Sequence, residues 1–276
     1  MQHIFKSYLK FLWNSTNAHG VHSPFVFDLV RKCFYDKTSF PEYKVLDAYR
    51  KSLLQNKDTI DVTDFGAGSR VFKSNTRAIN KIAGNAGISP KDAKLLFRVV
   101  NYFKPESVLE IGTSLGLATS ALALGAKNVT TLEGCQETAK VAQLYFQKFN
   151  VNVNSVMTEF KDHLQTLNLK PQAFDLIYFD GNHSKEATLN YFELLLPTIS
   201  NETVWIFDDI HWSSGMEEAW NIIKKHPKVT VTIDTFQWGF VFFRKEQAKE
   251  HFMVRTSKSF FLDNILGIKN LWGLLK

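Results

Sequence analysis

Cysteine is nearly absent: the 276-residue chain holds two, Cys33 and Cys135, too few for a disulfide framework and without the spacing of a metal finger. Long hydrophobic runs are missing as well. The first twenty residues are interrupted by Lys6, Lys10, Asn14 and Asn17, which leaves neither a signal core nor a membrane-spanning stretch. There is no internal repeat and no low-complexity linker. Positive charge is in slight excess, with 33 Lys and Arg against 27 Asp and Glu, yet no basic cluster exceeds a pair such as Lys224–Lys225. A nucleic-acid surface needs a localised basic stripe, so the excess reads as a solvated surface and nucleic acid is not the expected partner. What the chain does hold is apolar mass: 45% hydrophobic residues, 14% aromatic, with 24 phenylalanines. That excludes intrinsic disorder and suffices for one large core with a smaller attachment. A soluble, cytoplasmic protein is the expectation.

From about residue 88 the chain alternates helix and strand signals at the spacing of a parallel sheet. Ser89-Pro90 is a helix start, with serine as cap and proline in the first turn, and apolar residues recur at helical spacing to Phe103. Strands are expected at Ser107–Gly112, Asn128–Glu133, within Val151–Phe160, at Phe174–Asp180 and at Thr203–Asp208, with helices between them. Ser214 and Glu217 have capping-box spacing for the next helix. Val229–Ile233 and Gly239–Phe243 then read as an antiparallel pair. The expected fold is α/β: a doubly wound, Rossmann-like sheet of seven strands ending in a hairpin, over 88–245. Residues 1–87 read as a mostly helical cap on the substrate side, and 246–276 as an amphipathic tail. That tail suits packing on the core or on a second copy of the chain, as does the N-terminal region; the alternative for the tail is a membrane-surface helix.

Ligands of an open parallel sheet bind at the carboxyl ends of its strands, where strand order reverses. Here those ends carry Glu110-Ile-Gly112-Thr-Ser-Leu-Gly116, Glu133-Gly134, Glu159-Phe160, Asp180-Gly-Asn-His183 and Asp208-Asp209-Ile-His211. Single acids in such places often cap the next helix. A run of polar clusters at successive strand ends calls for more than caps. Gly112 and Gly116 allow a tight turn and close backbone approach, and Glu133, about twenty residues on, can accept both hydroxyls of a ribose. Thr113 stands where a pyrophosphate site would want its second glycine, and Glu110 would repel phosphate, so an adenosine ligand without phosphates is favoured.

These residues together resemble the class I S-adenosylmethionine-dependent methyltransferases: Val108-Leu-Glu-Ile-Gly-Thr-Ser-Leu-Gly116, Leu132-Glu-Gly134 and Phe174-Asp-Leu-Ile-Tyr-Phe-Asp-Gly-Asn-His183. The Asp-Gly-x-His and Asp-Asp pairings are similar to the small-molecule O-methyltransferase branch, with its catechol-type and macrolide-sugar enzymes. The resemblance spans about 88–245. It implies that Glu110, Gly112, Thr113, Ser114 and Gly116 line the methionine part of S-adenosylmethionine, that Glu133 and Gly134 hold the ribose, and that Glu159 and Phe160 flank the adenine. It further implies a divalent cation, Mg²⁺ above all, on Asp180, Asp208 and Asp209. His183, three residues after Asp180, would then act as the base toward a small-molecule hydroxyl. One departure stands out: the third metal position of catechol-type enzymes is usually Asn, and here it is Asp209, which could instead cap the next segment or pair with a lysine. The alternative for His183 is a cap on the helix beginning near Ser184.

Two other classes compete. A nicotinamide-dependent oxidoreductase would share the first two strand ends but leaves the Asp180–His183 and Asp208–Asp209 set without a use. A non-catalytic cofactor-binding protein would keep every motif. The acceptor, the Asp64–Arg70 glycine loop, His19, His22 and His211 stay without assigned roles.

Overall fold

Leu176–Phe179 and Val204–Asp208 bury every one of their side chains. Strands sealed on both faces belong in the middle of a parallel sheet covered by helices on each side. The computed structural model describes residues 2–63, 74–169 and 174–258 and arranges them around such a sheet. Helices α1 (Gln2–Asn14), α2 (Pro24–Leu29, continued by a wider turn over Val30–Phe34) and α3 (Glu42–Gln55) come first. A small antiparallel pair, β1 (Thr59–Asp61) and β2 (Thr76–Ala78), leads into α4 (Ile79–Asn85). Then follow α5 (Pro90–Phe103), β3 (Ser107–Ile111), α6 (Leu117–Gly125), β4 (Asn128–Glu133), α7 (Gln136–Lys148) and β5 (Asn154–Met157). The alternation continues through α8 (Phe160–Leu169), β6 (Leu176–Phe179), α9 (Lys185–Leu195), β7 (Val204–Asp208) and α10 (Ser214–Lys225). Strands β8 (Val231–Asp234), β9 (Trp238–Phe242) and β10 (Glu250–Met253) end the described chain.

The main sheet runs β10-β8-β9-β7-β6-β3-β4-β5. Strands β3 to β7 are mutually parallel, and β9 runs antiparallel to both β7 and β8. Strand order reverses at β3, between β4 and β6, and the crevice for a ligand therefore opens at the carboxyl ends of β3 and β6. One face, with Val108, Tyr178 and Ile206, packs on α2, α5 and α6. The other, with Ile111, Phe179, Trp205 and Phe207, packs on α8, α9 and α10. A third apolar cluster joins Tyr49 and Leu53 of α3 and Ile82 of α4 to Tyr145 and Phe146 of α7, so the N-terminal helices close over the β4 side.

The seven expected strands form, and an eighth joins them. β10 pairs in parallel with β8, from within the segment read as an amphipathic tail. Phe252 and Val254 turn inward at the two-residue spacing of a strand while Glu250 and His251 stay exposed, a short alternation masked by the apolar residues that follow. The rest of that tail, 259–276, and the Asp64–Arg70 loop lie outside the described residues. Two local expectations shift. α10 is capped by Ser213, whose hydroxyl accepts from Met216 N, rather than by Ser214. Phe160 ends no strand; it opens α8. Among the described residues no helix is long and apolar enough to cross a membrane.

Candidate active site at the carboxyl ends of the strands

Backbone strain collects at one end of the sheet. Among described non-glycine residues with positive φ, Lys104 and Asn150 close helices, while Ser114, Asn182, Asp209 and Phe236 stand in the loops after β3, β6, β7 and β8. Gly112 (φ +102°) and Gly116 (φ +77°) join them. In non-glycine residues such conformations cost about 1–3 kcal/mol each and persist where surrounding contacts enforce them, characteristically at functional sites, whereas glycine adopts them freely. Gly112 is enforced by proximity: a Cβ there would lie 2.5 Å from the carbonyl oxygen of Asp180. The loop after β3 and the loop after β6 therefore touch through backbone alone.

The glycine loop is anchored from below. Gly112 N and Thr113 N donate to Leu132 O, and Tyr49 Oη of α3 donates to Leu115 O at 2.9 Å. Glu133, at the end of β4, accepts Ser114 N and Cys135 N, each at 2.8 Å. Burial raises its pKa against the opposing pull of those backbone donors. Neither α6 nor α7, the helices that follow these two loops, has a side-chain hydrogen bond at its N-cap. Their first N–H groups are therefore not satisfied by a cap side chain. Glu110 does not line the loop surface as expected. It is fully buried beneath it, with Oε2 accepting from Thr119 Oγ1 (2.5 Å) and Thr131 Oγ1 (2.6 Å). Burial pushes its pKa up to about 8, opposed by those two hydroxyls and reinforced by the charge of Glu133. Its side chain alternates with Leu109 and Ile111, which sets it on the α5–α6 face of β3.

Beyond β4 a cleft of about 420 Å³ opens between the β5 and β6 loops, lined by Gly134, Glu159, Phe160, Asn182 and Tyr191 among others. The size suits a small ligand with one flat face. Gly181 lets the β6 loop approach the Phe160 ring, which a Cβ would reach at 2.5 Å.

The aspartates gather on the other side of the switch point. Asp180 N donates to Ile111 O at 2.9 Å, extending the ladder by one residue and fixing where its side chain emerges. Its carboxyl is hydrogen-bonded to that of Asp208, at the end of β7. Burial, then the charge of Asp208, raises the Asp180 pKa well above the usual carboxylate range. Asp208 is pushed up to about 6 by burial and by Asp209, against the pull of His183, Asp180 and Gln237. Burial and neighbouring negative charge thus bias both carboxyls toward their protonated forms. His183 Nε2 lies 3.5 Å from Asp180 Oδ1. It does not cap α9: Ser184 does, with its hydroxyl accepting from Ala187 N.

Asp209 is where the expected three-carboxylate cation site fails to form. Gln237 Nε2 donates to Asp208 Oδ1 (2.9 Å) and to Asp209 Oδ1 (2.8 Å), placing an amide nitrogen where a shared cation would have to sit. Among the described residues no group of three His, Cys, Asp or Glu side chains converges to hold a metal ion. The donor set does not fit a divalent cation on Asp180, Asp208 and Asp209.

Gln237 and the groups behind it were not legible as site residues. The available signal was topological: β9 returns antiparallel beside β7 with Trp238 opposite Asp208, which carries the residue before Trp238 to the end of β7. His211 has both ring nitrogens engaged, Nδ1 with Glu217 Oε1 (2.7 Å) and Nε2 with Asp234 Oδ2 (2.9 Å). Burial pulls its pKa down, and the bonds and charges of Asp234 and Glu217 outweigh it, so the net shift is upward. Trp238 is buried in the core, whereas Phe236 stacks on His211 and meets Tyr8 and Phe11 of α1. His19 and His22 are exposed around the turn before α2, apart from these clusters.

Residues 109–210 match the model of a methyltransferase domain. Among solved structures, the fold is similar to SAH-bound PaMTH1, a methyltransferase of Podospora anserina (14% identity, 82% of this chain and 97% of that one, TM-score 0.57). It is similar as well to cofactor-bound Rv0187 from MTB (20%, 75% and 92%, TM-score 0.53). An O-methyltransferase from Bacillus cereus in complex with SAH aligns at 23% identity over 74% of this chain and 90% of its own, with a TM-score of 0.50. No curated protein is a significant match to the sequence.

Proposed function

We propose that this chain, whose residues 109–210 match a methyltransferase-domain model, is a class I enzyme that moves the methyl group of S-adenosylmethionine to a hydroxyl oxygen of a small molecule. The observation that carries the reading is the division of labour across the switch point. On one side stand an ordered carboxylate and two uncapped helix ends, beside a cleft of ligand size. On the other stands an acid–base pair, Asp180 and His183. Glu133 suits the ribose hydroxyls, Gly112, Thr113, Ser114 and Gly116 the methionine part, Gly134 the ribose edge, and Glu159 with Phe160 the adenine face. Glu110 supports this loop from beneath. Bound there, the sulfonium supplies an electrophilic methyl group.

The rest is the work of the chain's own side chains. The N-terminal helices exclude water from one side of the site, since Ile82, Ala83 and Ile88 line a narrow gap with Ser114 and Asp180. His183 Nε2 takes the acceptor's proton, and the imidazolium so formed rests against the negative charge shared by Asp180 and Asp208.

Calorimetric titration with S-adenosylhomocysteine, and with NAD as control, tests the reading. Binding of S-adenosylhomocysteine is expected, weakened about 10- to 100-fold in Glu133→Ala, as the loss of charged hydrogen bonds implies. His183→Gln should keep that affinity and lose turnover with an identified acceptor by about 10²- to 10⁴-fold. Binding of NAD in preference to S-adenosylhomocysteine would overturn the assignment.

A further inference from the structure

We propose that Gln237 takes the place of a divalent cation in this site, its carboxamide bridging Asp208 and Asp209 so that the strand-end carboxylates are held without metal. Its functional consequence, methyl transfer independent of added cations, rests on the function proposed above; its structural content stands on the geometry alone.

The two donors of the amide are both used, at 2.9 Å to Asp208 Oδ1 and 2.8 Å to Asp209 Oδ1. A primary amide nitrogen has two hydrogens to give, so this contact exhausts it. A hard cation bound to the same two oxygens would need to sit about 2.1 Å from each, where it would meet the nitrogen and the positive ends of both N–H bonds. Amide and cation are therefore alternatives at this position. A cation would bring charge of +2, whereas the amide brings only dipoles, and so it must be well aimed to offset the repulsion between adjacent carboxylates.

The surrounding structure supplies that aim. Gln237 lies in the tight connection between β8 and β9, which closes through Thr235 N to Trp238 O (2.9 Å) and Trp238 N to Thr235 Oγ1 (3.2 Å). The preceding residue, Phe236, has φ +74° and is held there by its N–H to Asp234 Oδ1 (2.8 Å). The other oxygen of Asp234 is bound by His211, which in turn is bound by Glu217. The Phe236 ring is nearly parallel to the His211 ring (13°, 5.1 Å between centroids) and is closed from the far side by Tyr8 and Phe11. Gln237 is thus a positioning residue, fixed by contacts that do not include the carboxylates it serves. That arrangement holds Phe236 in its left-handed conformation within the hairpin.

The test uses Mn²⁺ alone as the probe, on the wild type, Gln237→Glu, Gln237→Ala and Asp208→Asn, read by calorimetry and by thermal midpoint with and without the ion. The wild type is expected to show no saturable one-to-one binding and no midpoint shift. Gln237→Glu, which exchanges two donors for a further carboxylate, should fall in stability and take up one Mn²⁺ at least tenfold more tightly than the wild type, recovering its midpoint. Gln237→Ala, which only removes the amide, should gain weaker binding, and it serves if Gln237→Glu fails to fold. One-to-one binding by the wild type that Asp208→Asn abolishes would overturn the proposal. So would foldable Gln237 variants that bind no more Mn²⁺ than the wild type. S-adenosylhomocysteine affinity, measured on the same wild-type sample, fails or succeeds independently: its absence would sink the methyl-transfer reading and leave the role of Gln237 untouched.

Discussion

On the β4 side of the switch point the carboxylates find donors in the chain beside them. Glu133 takes two backbone N–H groups, from Ser114 and Cys135, and Glu110 takes two hydroxyls, from Thr119 and Thr131. On the β6–β7 side, Asp180 and Asp208 meet each other, and Asp208 and Asp209 draw on an amide that arrives with β9. The helices differ in the same sense. α6 and α7 have no side-chain N-cap, whereas α9 and α10 are closed by Ser184 and Ser213. Under the function proposed above, the first side would leave backbone donors to a ligand, while the second would leave the chemistry to side chains. The proposed binding half and reacting half are thus told apart by where their hydrogen bonds end.

The largest effect should come from breaking the contact that joins the halves. Gly112→Ala would place a methyl group 2.5 Å from the Asp180 carbonyl at a φ of +102°, where neither backbone can yield cheaply. Strain of about 1–3 kcal/mol plus the clash should make it one of the more damaging single changes, at roughly 3–5 kcal/mol by urea denaturation. A cost below about 1 kcal/mol would show that the two loops do not touch as described.

A pH series separates the halves at intermediate scale. Glu110 and Asp208 both have folded pKa values raised above their unfolded ones, 4.5 and 3.8, to about 8 and about 6. The folded state therefore binds protons more tightly, and each group's contribution is fully present below its unfolded pKa and lost as pH rises through the folded one. The urea midpoint of the wild type should fall between pH 4 and 8. Glu110→Gln should flatten the upper part of that decline, from about 6 to 8, by an amount on the order of a few kcal/mol. Asp208→Asn should flatten the lower part. An undiminished upper slope in Glu110→Gln would mean that this carboxyl is not the buried, protonated group beneath the loop.

The placement of the residues on the β4 side was largely legible in the sequence, because they lie on consecutive strands. A glycine loop after one strand and a glutamate at the end of the next are placed side by side by the parallel pairing of β3 and β4. Even so, Glu110 was read as facing the ligand; one residue of strand alternation decides that it points beneath the loop instead. On the reacting half the aspartates and His183 were legible as strand-end residues, but their partner was not. Gln237 reaches them only because β9 inserts antiparallel between β7 and β8, and a hairpin residue carries no mark of which strand end its turn will face. The eighth strand was hidden for a similar reason, since Phe252 and Val254 alternate over too few residues to stand out against an apolar tail.

The smallest effect tests the helix caps that distinguish the halves. Ser184 Oγ accepts Ala187 N at 3.3 Å just after His183, and Ser184→Ala removes that acceptor while leaving Asp180 and His183 in place. A lost serine cap costs about 1 kcal/mol, read as a modest drop in urea midpoint. Because α9 follows the reacting half, S-adenosylhomocysteine affinity should stay within about twofold of the wild type, less than 0.5 kcal/mol. The opposite outcome, full stability with weakened affinity, would mean that the capped helix end serves the ligand after all. The division between an open binding half and a closed reacting half would then have to be redrawn at β6.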